Sequence, residues 1–380
     1  MKTALCTISS NNFLPYGLTC LTSVEKFNDY DLFYLIADEF KDDLYKKYED
    51  KITFVKLNQL NKTEAELANL EFKYNIVEFN TCIKPAFYQY LFSLGYENVI
   101  YLDPDIECYD KLSYLDNLLE SYSIVLTPHK NTSKKSSFFD ENAFLNNGIY
   151  NLGFIAMHKS SETDRFLNWW DFELKDGCYL DYSKGFATDQ IWLNLVPVYF
   201  DNVYISKHPG MNIAFWNIDE RNISDNLTVD SKKIQFIHYS SMSVNCRMEL
   251  LDKIFFVSPE FKDIYDSHIN TVKSFDFELY SSQKYKFDYF DNGMKIPPQI
   301  KRFYGYSEFN RLDNKNPFST DKGSFFYELS KNKIKCKKEN LAMNEKKLNK
   351  LIKIFGLKNI LNLSRYFSAI NVSNISKLYE

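Results

Sequence analysis

Residues 99–106 read Val-Ile-Tyr-Leu-Asp-Pro-Asp-Ile, and the predicted fold is organised around them. The first four residues are apolar and mostly favour β-structure, which predicts a short buried strand. Pro104 disfavours helical backbone at the residue before it, so Asp103 is expected to be extended. Side chains two residues apart in an extended segment point to the same side, so Asp103 and Asp105 can converge. Two converging carboxylates suit Mg²⁺ or Mn²⁺, although an ordinary acidic turn would have the same sequence.

Strands and helices alternate around this stretch. Further buried strands are predicted at residues 3–8, 32–37, 52–57 and 124–127. Alternation of this kind is typical of an α/β domain with a mostly parallel central sheet flanked by helices. Ligands of such sheets bind beyond the carboxyl ends of the strands. We therefore expect the polar turn Ser9 to Asn12, Asp38 and Asp103 to lie together at that edge.

Two candidate site residues lie on predicted elements near the central strand. A helix over residues 76–95 would bring Lys84 near the site, and a strand over residues 149–157 would carry Asn151. A lysine on a helix is often only a solvated side chain. A buried amide needs hydrogen-bond partners, which a ligand hydroxyl or the backbone could supply.

Three more candidates follow along the chain. Asp189 and Gln190 are predicted to open a helix, and His238 lies near the end of a strand predicted at residues 234–239. Each has an ordinary structural explanation, because polar residues are common at helix starts and a histidine at a strand end is usually structural.

The composition excludes several classes of protein. The 380 residues are 45% hydrophobic and 25% charged with a net charge of −4, which argues against extensive disorder and against a nucleic-acid binder. No glycine-rich dinucleotide or P-loop motif is present. The seven cysteines have no paired spacing, so no zinc or disulfide framework is predicted and a cytoplasmic location is expected. The sequence also shows no signal-peptide core and no membrane-spanning run.

The order of these motifs resembles that of GT-A fold glycosyltransferases. The resemblance is greatest to the retaining nucleotide-sugar enzymes of glycosyltransferase family eight and related bacterial polysaccharide transferases, and it covers residues 1 to about 250. The motifs that carry it, after a first strand with a polar turn, are Leu102-Asp103-Pro104-Asp105, Tyr150-Asn151-Leu152-Gly153, Asp189-Gln190 and His238-Tyr239. Each motif alone is weak, and their order and spacing make the signal specific.

The resemblance implies a role for each matching residue. Asp103, Asp105 and His238 would hold Mn²⁺ or Mg²⁺ against the donor diphosphate, and Asp189 and Gln190 would lie at the reaction centre. The residues expected to bind the nucleotide-sugar donor are Thr7, Ile8, Ser10, Asn12, Phe13, Asp38, Lys84, Asp103 and Asn151. Retention of configuration is expected, whereas an inverting enzyme would need a general base, for which Asp189, Asp219 and Glu220 are candidates.

The sequence departs from the family pattern at two places. After His238-Tyr239 the family often has a glycine and then Lys-Pro-Trp, whereas this chain has Ser240-Ser241-Met242-Ser243. The acidic pair of the family's first turn is replaced by Ser10 and Asn11. Binding of the distal phosphate and recognition of uracil are therefore open.

The implied organisation has three parts: a GT-A catalytic domain at 1–250, an aromatic-rich accessory region at 251–330 and a basic helical tail at 331–380. The tail has 12 Lys and Arg against 3 Glu. Such a tail could contact an anionic membrane peripherally, where lipid-linked acceptors lie, or pack on the body with a solvated face.

The implied function is transfer of a sugar, expected to come from a UDP-sugar, to a glycan or lipid-linked saccharide acceptor in bacterial surface polysaccharide synthesis. The alternatives are a sugar nucleotidyltransferase and a non-catalytic carbohydrate-binding protein of the same fold. Four tryptophans, of which at least two are expected in the core, are candidates for stacking on the acceptor: Trp169, Trp170, Trp192 and Trp216.

Overall fold

A seven-stranded sheet forms the centre of the structure, a computed structural model that describes residues 2–224, 226–306 and 316–327. The strands are β1 Thr3–Ser9, β2 Asp31–Ile36, β3 Ile52–Val55, β4 Asn98–Leu102, β5 Ile106–Cys108, β6 Ile124–Leu126, β7 Phe154–His158, β8 Leu180–Asp181, β9 Phe186–Ala187, β10 Val203–Ile205, β11 Ile223–Ser224, β12 Thr228–Val229, β13 Lys232–Lys233 and β14 Phe236–His238. The order in the central sheet is β10-β6-β7-β4-β1-β2-β3.

The central sheet is mostly parallel. Strand β7 runs antiparallel to both of its neighbours, β4 and β6, and the other four pairings are parallel. Residues alternate between the two faces of each strand, so Leu5 contributes to the core on one face and Cys6 to the core on the other. This confirms the predicted α/β class with a mostly parallel central sheet.

Helices cover both faces of the sheet. They are α1 Leu14–Glu25, α2 Asp42–Tyr45, α3 Glu64–Lys73, α4 Ile76–Cys82, α5 Lys84–Ser93, α6 Ser113–Leu119, α7 Glu141–Asn147, α8 Ser161–Gly177, α9 Val196–Tyr199, α10 Met248–Val257, α11 Phe261–Ser274, α12 Phe277–Ser281 and α13 Pro298–Tyr306. Helices α4, α5 and α8 pack on one face, and α1 and α6 pack on the other. None of the helices in the described part of the chain has the length and apolar character that crossing a membrane requires.

Two predicted elements differ from the observed ones. The helix expected at 76–95 is divided at Ile83 into α4 and α5, because Pro85 lies in the first turn of α5 and lacks the amide that a continuous helix would use. The strand expected at 149–157 begins only at Phe154. Before it, Tyr150 forms only an isolated antiparallel bridge with Pro128, and the Asn151 side chain accepts the amide of Gly153.

The C-terminal region is helical and packs on the α/β unit. Val272 of α11 and Phe277 of α12 contact Tyr16 of α1 in one apolar cluster. Lys301 of α13 donates to backbone carbonyls, including that of Tyr74 after α3 at 3.2 Å. The basic tail predicted at 331–380 lies outside the described residues.

Candidate functional site

A cavity of about 610 Å³ opens at the carboxyl edge of the central sheet. Strands β2 and β3 lie on one side of β1 in the sheet, and the next parallel strand, β4, lies on the other side. The direction in which successive strands are added to the sheet therefore reverses at β1. Ligands of open α/β sheets bind at such a switch point. The turn after β1 and the turn after β4 both line the cavity, which places Ser10 and Asp103 in its wall.

The turn after β4 presents two carboxylates to the cavity. The amide of Asp103 donates to the carbonyl of Gly153 at 2.7 Å, and the carbonyl of Asp103 accepts the amide of Ile106 at 3.0 Å. These bonds fix the backbone on both sides of Pro104. Asp103 and Asp105 therefore converge as predicted, but they do so through a tight turn at Pro104 and not through the extended segment that the sequence pattern indicates.

His238 completes a cluster with these two carboxylates. Strand β14 pairs antiparallel with β5, and the register places His238 opposite Ile106. His238 Nε2 lies 3.1 Å from Asp105 Oδ1 and 3.9 Å from Asp103 Oδ2. One ligand atom from each of Asp103, Asp105 and His238 lies within 4.8 Å of the other two. Two carboxylate oxygens and an imidazole nitrogen are a chemically suitable ligand set for Mn²⁺.

The other imidazole nitrogen is held by Asn151. His238 Nδ1 lies 3.0 Å from Asn151 Oδ1, and Asn151 Nδ2 lies 3.2 Å from His129 Nε2. Burial lowers the pKa of His129 to about 4, so its ring is neutral and can accept from the amide. The amide oxygen then accepts the Nδ1 proton of His238, which leaves Nε2 facing the carboxylates. Such support of a ligating histidine is typical of metal sites.

Electrostatics couple His238 to Asp105. Burial lowers the pKa of His238. The charge of Asp105, the hydrogen bond to Asp105 and the charge of Asp103 raise it by more, so the pKa lies above its ordinary value of 6.5. Burial raises the pKa of Asp105, but the charge and hydrogen bond of His238 outweigh it and hold the pKa below 3.8. The cluster therefore attracts positive charge, and a divalent cation would replace the imidazole proton there.

Lys84 lies at the floor of the cavity with only 1% of its side chain exposed. Its Nζ is 2.8 Å from Asp189 Oδ2, 3.5 Å from Asp103 Oδ1 and 2.8 Å from the carbonyl of Leu152, to which it donates. Burial lowers the pKa of Lys84, but the two carboxylates outweigh burial and raise it. The ammonium group thus stays charged and holds Asp103 and Asp189 in one arrangement.

Most of the predicted donor-binding residues lie in the cavity wall. Ile8, Ser10, Asn12 and Phe13 line it beside Lys84, Asp103 and Asn151. The ring of Phe13 stacks on that of Tyr16, with 4.1 Å between ring centroids. Phe13 is therefore fixed as an aromatic surface at the start of α1.

Two predicted donor-binding residues lie outside the cavity wall. Thr7 is fully buried within β1. The carboxylate of Asp38 accepts the backbone amides of Asn11, Glu39 and Lys286. Asp38 is thus used to hold the turn that carries Ser10 and Asn12, and its position at the sheet edge does not bring it into the cavity.

The predicted reaction-centre residues both line the cavity. Asp189 is buried, and burial raises its pKa while Lys84 opposes the shift. Gln190 is half-buried and begins a 3₁₀ helix. By contrast, Asp219 and Glu220 lie outside the wall and bind the segment 130–137, where Glu220 accepts the amides of Asn131 and Thr132. They are therefore not placed to act as a general base in this cavity.

The four tryptophans divide between the core and the cavity. Trp170 is fully buried, and Trp169 and Trp192 pack against the same core cluster. Trp216 lines the cavity, with its ring edge-on to His238 at a centroid distance of 5.3 Å. Trp216 is thus the tryptophan that can contact a ligand in the described cavity.

Sequence reasoning missed several residues of the cavity wall. His129 follows β6 at the same sheet edge, so its position after a strand was a signal that could have found it. Helix α7 contributes Phe144 and Asn147, and α4 contributes Asn80, without any strand-end signal. Ser240 and Ser241, where the chain departs from the family pattern, also line the wall.

Comparison with known proteins gives distant similarities. No family model matches the chain. The chain is 23% identical over 228 residues to the uncharacterized protein YfnD of Bacillus subtilis (strain 168), which covers 58% of this chain and 71% of YfnD. The sequence relative therefore has no stated activity.

The similar solved structures are glycosyltransferases by name, the class to which the sequence resemblance points. Galactosyltransferase LgtC, in complex with donor and acceptor sugar analogs, is 14% identical with a TM-score of 0.41, covering 67% of this chain and 94% of LgtC. Mouse xyloside xylosyltransferase 1 is 12% identical with a TM-score of 0.42, covering 65% of this chain and all (100%) of the enzyme. GlyE of Streptococcus pneumoniae TIGR4 is 13% identical with a TM-score of 0.41, covering 75% of this chain and 66% of GlyE. At these identities and TM-scores, the similarities assign no family and no activity to this chain.

Proposed function

We propose that the protein is a glycosyltransferase that needs Mn²⁺ or Mg²⁺ and moves a sugar from a nucleotide-diphosphate donor, a UDP-sugar, to a glycan or lipid-linked acceptor. The proposal places it in the cytoplasm, in bacterial surface polysaccharide synthesis. The observation that carries it is the convergence of Asp103, Asp105 and His238 within 4.8 Å, in the wall of an open cavity at the sheet edge.

The ligand set supports a role in charge stabilisation. Breaking the bond between the anomeric carbon and the diphosphate builds negative charge on the leaving oxygen. A divalent cation held by Asp103, Asp105 and His238 would act there as a Lewis acid. Stabilisation of developing charge is usually the largest single contribution to catalysis. The chain's own residues provide the fixed geometry, because Asn151 orients His238 and Lys84 holds Asp103.

The arrangement around Asp189 favours retention over inversion. An inverting enzyme needs a free general base beside the acceptor hydroxyl. Asp189 is bound by Lys84 at 2.8 Å, and Asp219 and Glu220 are engaged outside the cavity. The side chain of Gln190 lines the cavity. A retaining enzyme needs a weaker group than a general base near the anomeric carbon, and the side-chain amide of Gln190 is such a group.

The cytoplasmic location is supported by the cysteines. Six of them fall on described residues, and all six are unpaired: Cys6, Cys20, Cys82, Cys108, Cys178 and Cys246. Five are buried and thus protected from reaction. Unpaired cysteines in this number fit a reducing compartment.

Peripheral membrane contact through residues 331–380 is part of the proposal and rests on their charge in the sequence. The test is binding to vesicles with and without phosphatidylserine, for the full chain and for a chain that ends at residue 330. Loss of binding to the anionic vesicles on truncation supports the membrane contact. Equal binding by both chains would contradict it.

The test of the proposed activity is a donor screen. Binding and slow hydrolysis of a panel of nucleotide sugars are measured with Mn²⁺ and again with EDTA. We expect one UDP-sugar to be bound and hydrolysed only with the metal. Metal-dependent binding without hydrolysis or transfer to any acceptor would favour the carbohydrate-binding alternative. Pyrophosphate release from a nucleoside triphosphate and a sugar phosphate would favour the nucleotidyltransferase.

A further inference from the structure

A buried polar cluster adjoins the strands that carry the metal ligands, and the site described above does not include it. It consists of Glu107, Tyr109, Tyr239 and His268 and is called the Glu107 cluster below. His268 is 1% exposed, Tyr239 1% and Glu107 7%. None of the four lines the cavity. His268 lies on α11, in the C-terminal region that sequence analysis separates from the catalytic domain.

The hydrogen bonds of the Glu107 cluster have a consistent direction. His268 Nδ1 lies 2.8 Å from Glu107 Oε2, and the hydroxyl of Tyr109 donates to the same oxygen at 3.2 Å. The hydroxyls of Tyr109 and Tyr239 are also hydrogen-bonded to each other. Tyr109 and His268 donate to the carboxyl oxygen of Glu107, and because the Tyr109 proton is used in that bond, Tyr239 donates to Tyr109.

Stacking adds a second contact of α11, to the residue that follows β14. The ring of His268 lies parallel to that of Tyr239, with an interplanar angle of 1° and 3.6 Å between centroids. His268 thus contacts one residue that follows β14 and bonds another within β5. A single side chain of α11 therefore links β5 to the residue after β14.

These two strands are short, and contacts from outside the pair add to their support; the amide of His238, for example, donates to the carbonyl of Ile213 at 2.7 Å. Strands β5 and β14 have three residues each and form a two-stranded sheet separate from the central one. A sheet of two short strands is at best marginally stable by itself. Yet this pair sets the position of two metal ligands, since Asp105 precedes β5 and His238 ends β14.

The Glu107 cluster is joined to the ligands through the backbone. Tyr239 follows His238, and its amide donates to the carbonyl of Asp105 at 2.8 Å. Glu107 lies opposite Ile237 in the register of the two strands. A shift of Tyr239 or Glu107 would therefore change the separation of Asp105 and His238.

Burying Glu107 and His268 carries a cost that apolar side chains would avoid. His268 Nε2 lacks a hydrogen-bond partner among the described residues, which adds to that cost. The polar cluster fixes the relative orientation of its side chains, because hydrogen bonds restrict orientation more narrowly than apolar packing does.

We propose that His268 is a positioning residue of the metal site, acting through Glu107 and Tyr239 on the β5–β14 pair that carries Asp105 and His238. The inference rests on the metal site of the proposed function. It makes α11 a functional part of the catalytic unit. Outer residues that orient metal ligands typically contribute about 10–100-fold to metal affinity.

The test is calorimetric titration of Mn²⁺ into the metal-free full-length protein, which measures affinity without any turnover. His268→Phe keeps a ring against Tyr239 and removes the donor to Glu107. His268→Asn loses the ring but keeps a donor near the position of Nδ1. Val272→Ala is the matched control, since Val272 is buried on the same helix and packs with Tyr16 and Phe277 instead.

We expect His268→Phe to bind Mn²⁺ about 10–100-fold more weakly than wild type. His268→Asn should recover part of the loss, and Val272→Ala should bind normally although its metal-free melting temperature falls. If His268→Phe does not fold, Tyr239→Phe, which removes one hydroxyl, should weaken Mn²⁺ binding about tenfold.

Wild-type affinity in His268→Phe, or in Tyr239→Phe where that variant replaces it, would overturn the inference and leave the metal site standing. Equal losses in His268→Phe and Val272→Ala would also overturn it, because they would reflect general instability. Absence of Mn²⁺ binding by the wild-type protein would overturn the metal site itself, and the inference with it.

Discussion

Gly153 lies directly against the imidazole of His238. A Cβ atom at this position would be 2.3 Å from His238 Cε1 and 2.6 Å from Nδ1, which is closer than any real contact. The glycine is therefore required by the close approach of the ring to the start of β7. With the ring this close, Asn151 contacts its Nδ1 atom, and the carboxylates of Asp103 and Asp105 lie near its Nε2 atom.

We expect Gly153→Ala to displace His238 and weaken Mn²⁺ binding about tenfold or more. Calorimetric titration of the metal-free protein measures the loss. Gly95→Ala is the control, because nothing lies within 4 Å of a Cβ there and its positive φ of 89° affects only stability. Unchanged Mn²⁺ affinity in Gly153→Ala would contradict the expected displacement of His238.

Removal of Lys84 should lower the stability of the fold, because it leaves the buried carboxylate of Asp189 without its ion-pair partner. The Asp189 side chain is 3% exposed, and its bond to Lys84 is 2.8 Å long. We expect Lys84→Met to lower the free energy of unfolding by about 3–5 kcal/mol. Urea denaturation measures the change.

The double variant Lys84→Met with Asp189→Asn removes both charges and should regain part of that stability. Its activity should stay low, since Asp103 has lost its neighbour as well. If the single and the double variant were equally stable, the pair would not be the source of the loss. With Asp189→Asn as the second single variant, the double-mutant cycle separates the ion pair from packing of the lysine stem.

At the residue scale, the sequence predicts which side chains meet when a strand end explains their position. Asp103, Asp105 and Ser10 follow strands, and all three line the cavity. Asp38 follows a strand too, but its carboxylate binds three backbone amides instead. Whether a carboxylate faces a ligand or its own backbone depends on local turn geometry that residue spacing does not contain.

At the element scale, the pairing of β5 with β14 has no local sequence signal. The two strands are three residues long and are separated by more than a hundred residues of chain. The central parallel strands are predictable, because each is a buried apolar run. A pair of short strands that contacts a helix distant in sequence, such as α11, is not predictable in this way.

Helix α13 is anchored by a buried lysine whose charge state depends on folding. Lys301 donates to the carbonyls of Phe287, Tyr74 and Glu71 at 2.7, 3.2 and 3.3 Å. Burial lowers its pKa from 10.5 to about 8, despite the nearby carboxylate of Asp288. The unfolded chain therefore binds more protons than the folded one between these two pH values.

We expect the free energy of unfolding to rise with pH in this window relative to Lys301→Met, because proton release then favours the folded state. The difference between the two proteins should change by on the order of 2 kcal/mol from about pH 7.5 to 9.5. Urea denaturation at several pH values measures it. Parallel pH profiles for the two proteins would contradict a lowered pKa of Lys301.

At the scale of the whole molecule, the C-terminal helices share contacts with the α/β unit, so we expect the two parts to unfold together. Tyr280 donates to the carbonyl of Leu44, the amide of Lys286 donates to Asp38, and Val272 packs on Tyr16. The predicted boundary near residue 250 therefore separates two parts of the chain that share buried contacts. Composition changes at that point, but the packing does not end there.

We predict that a chain ending at residue 247 loses most of its stability, which is about 5–15 kcal/mol for a typical folded domain. A chain ending at residue 327 keeps the contacts described above and should unfold in one transition like the full chain. Circular dichroism during urea denaturation distinguishes the two. Cooperative unfolding of the shorter chain would show that residues 1–247 form an independent domain.

The central claim is that Asp105, with Asp103 and His238, holds the cation on which turnover depends. Its most direct test is the initial rate of hydrolysis of the best UDP-sugar, with Mn²⁺ and with EDTA, for wild type and Asp105→Asn. Asp43→Asn, an exposed carboxylate on α2, is the matched control. We predict an EDTA-sensitive rate that falls about 10²–10³-fold in Asp105→Asn and is unchanged in Asp43→Asn. A wild-type rate in folded Asp105→Asn, or a rate that EDTA does not affect, would contradict it.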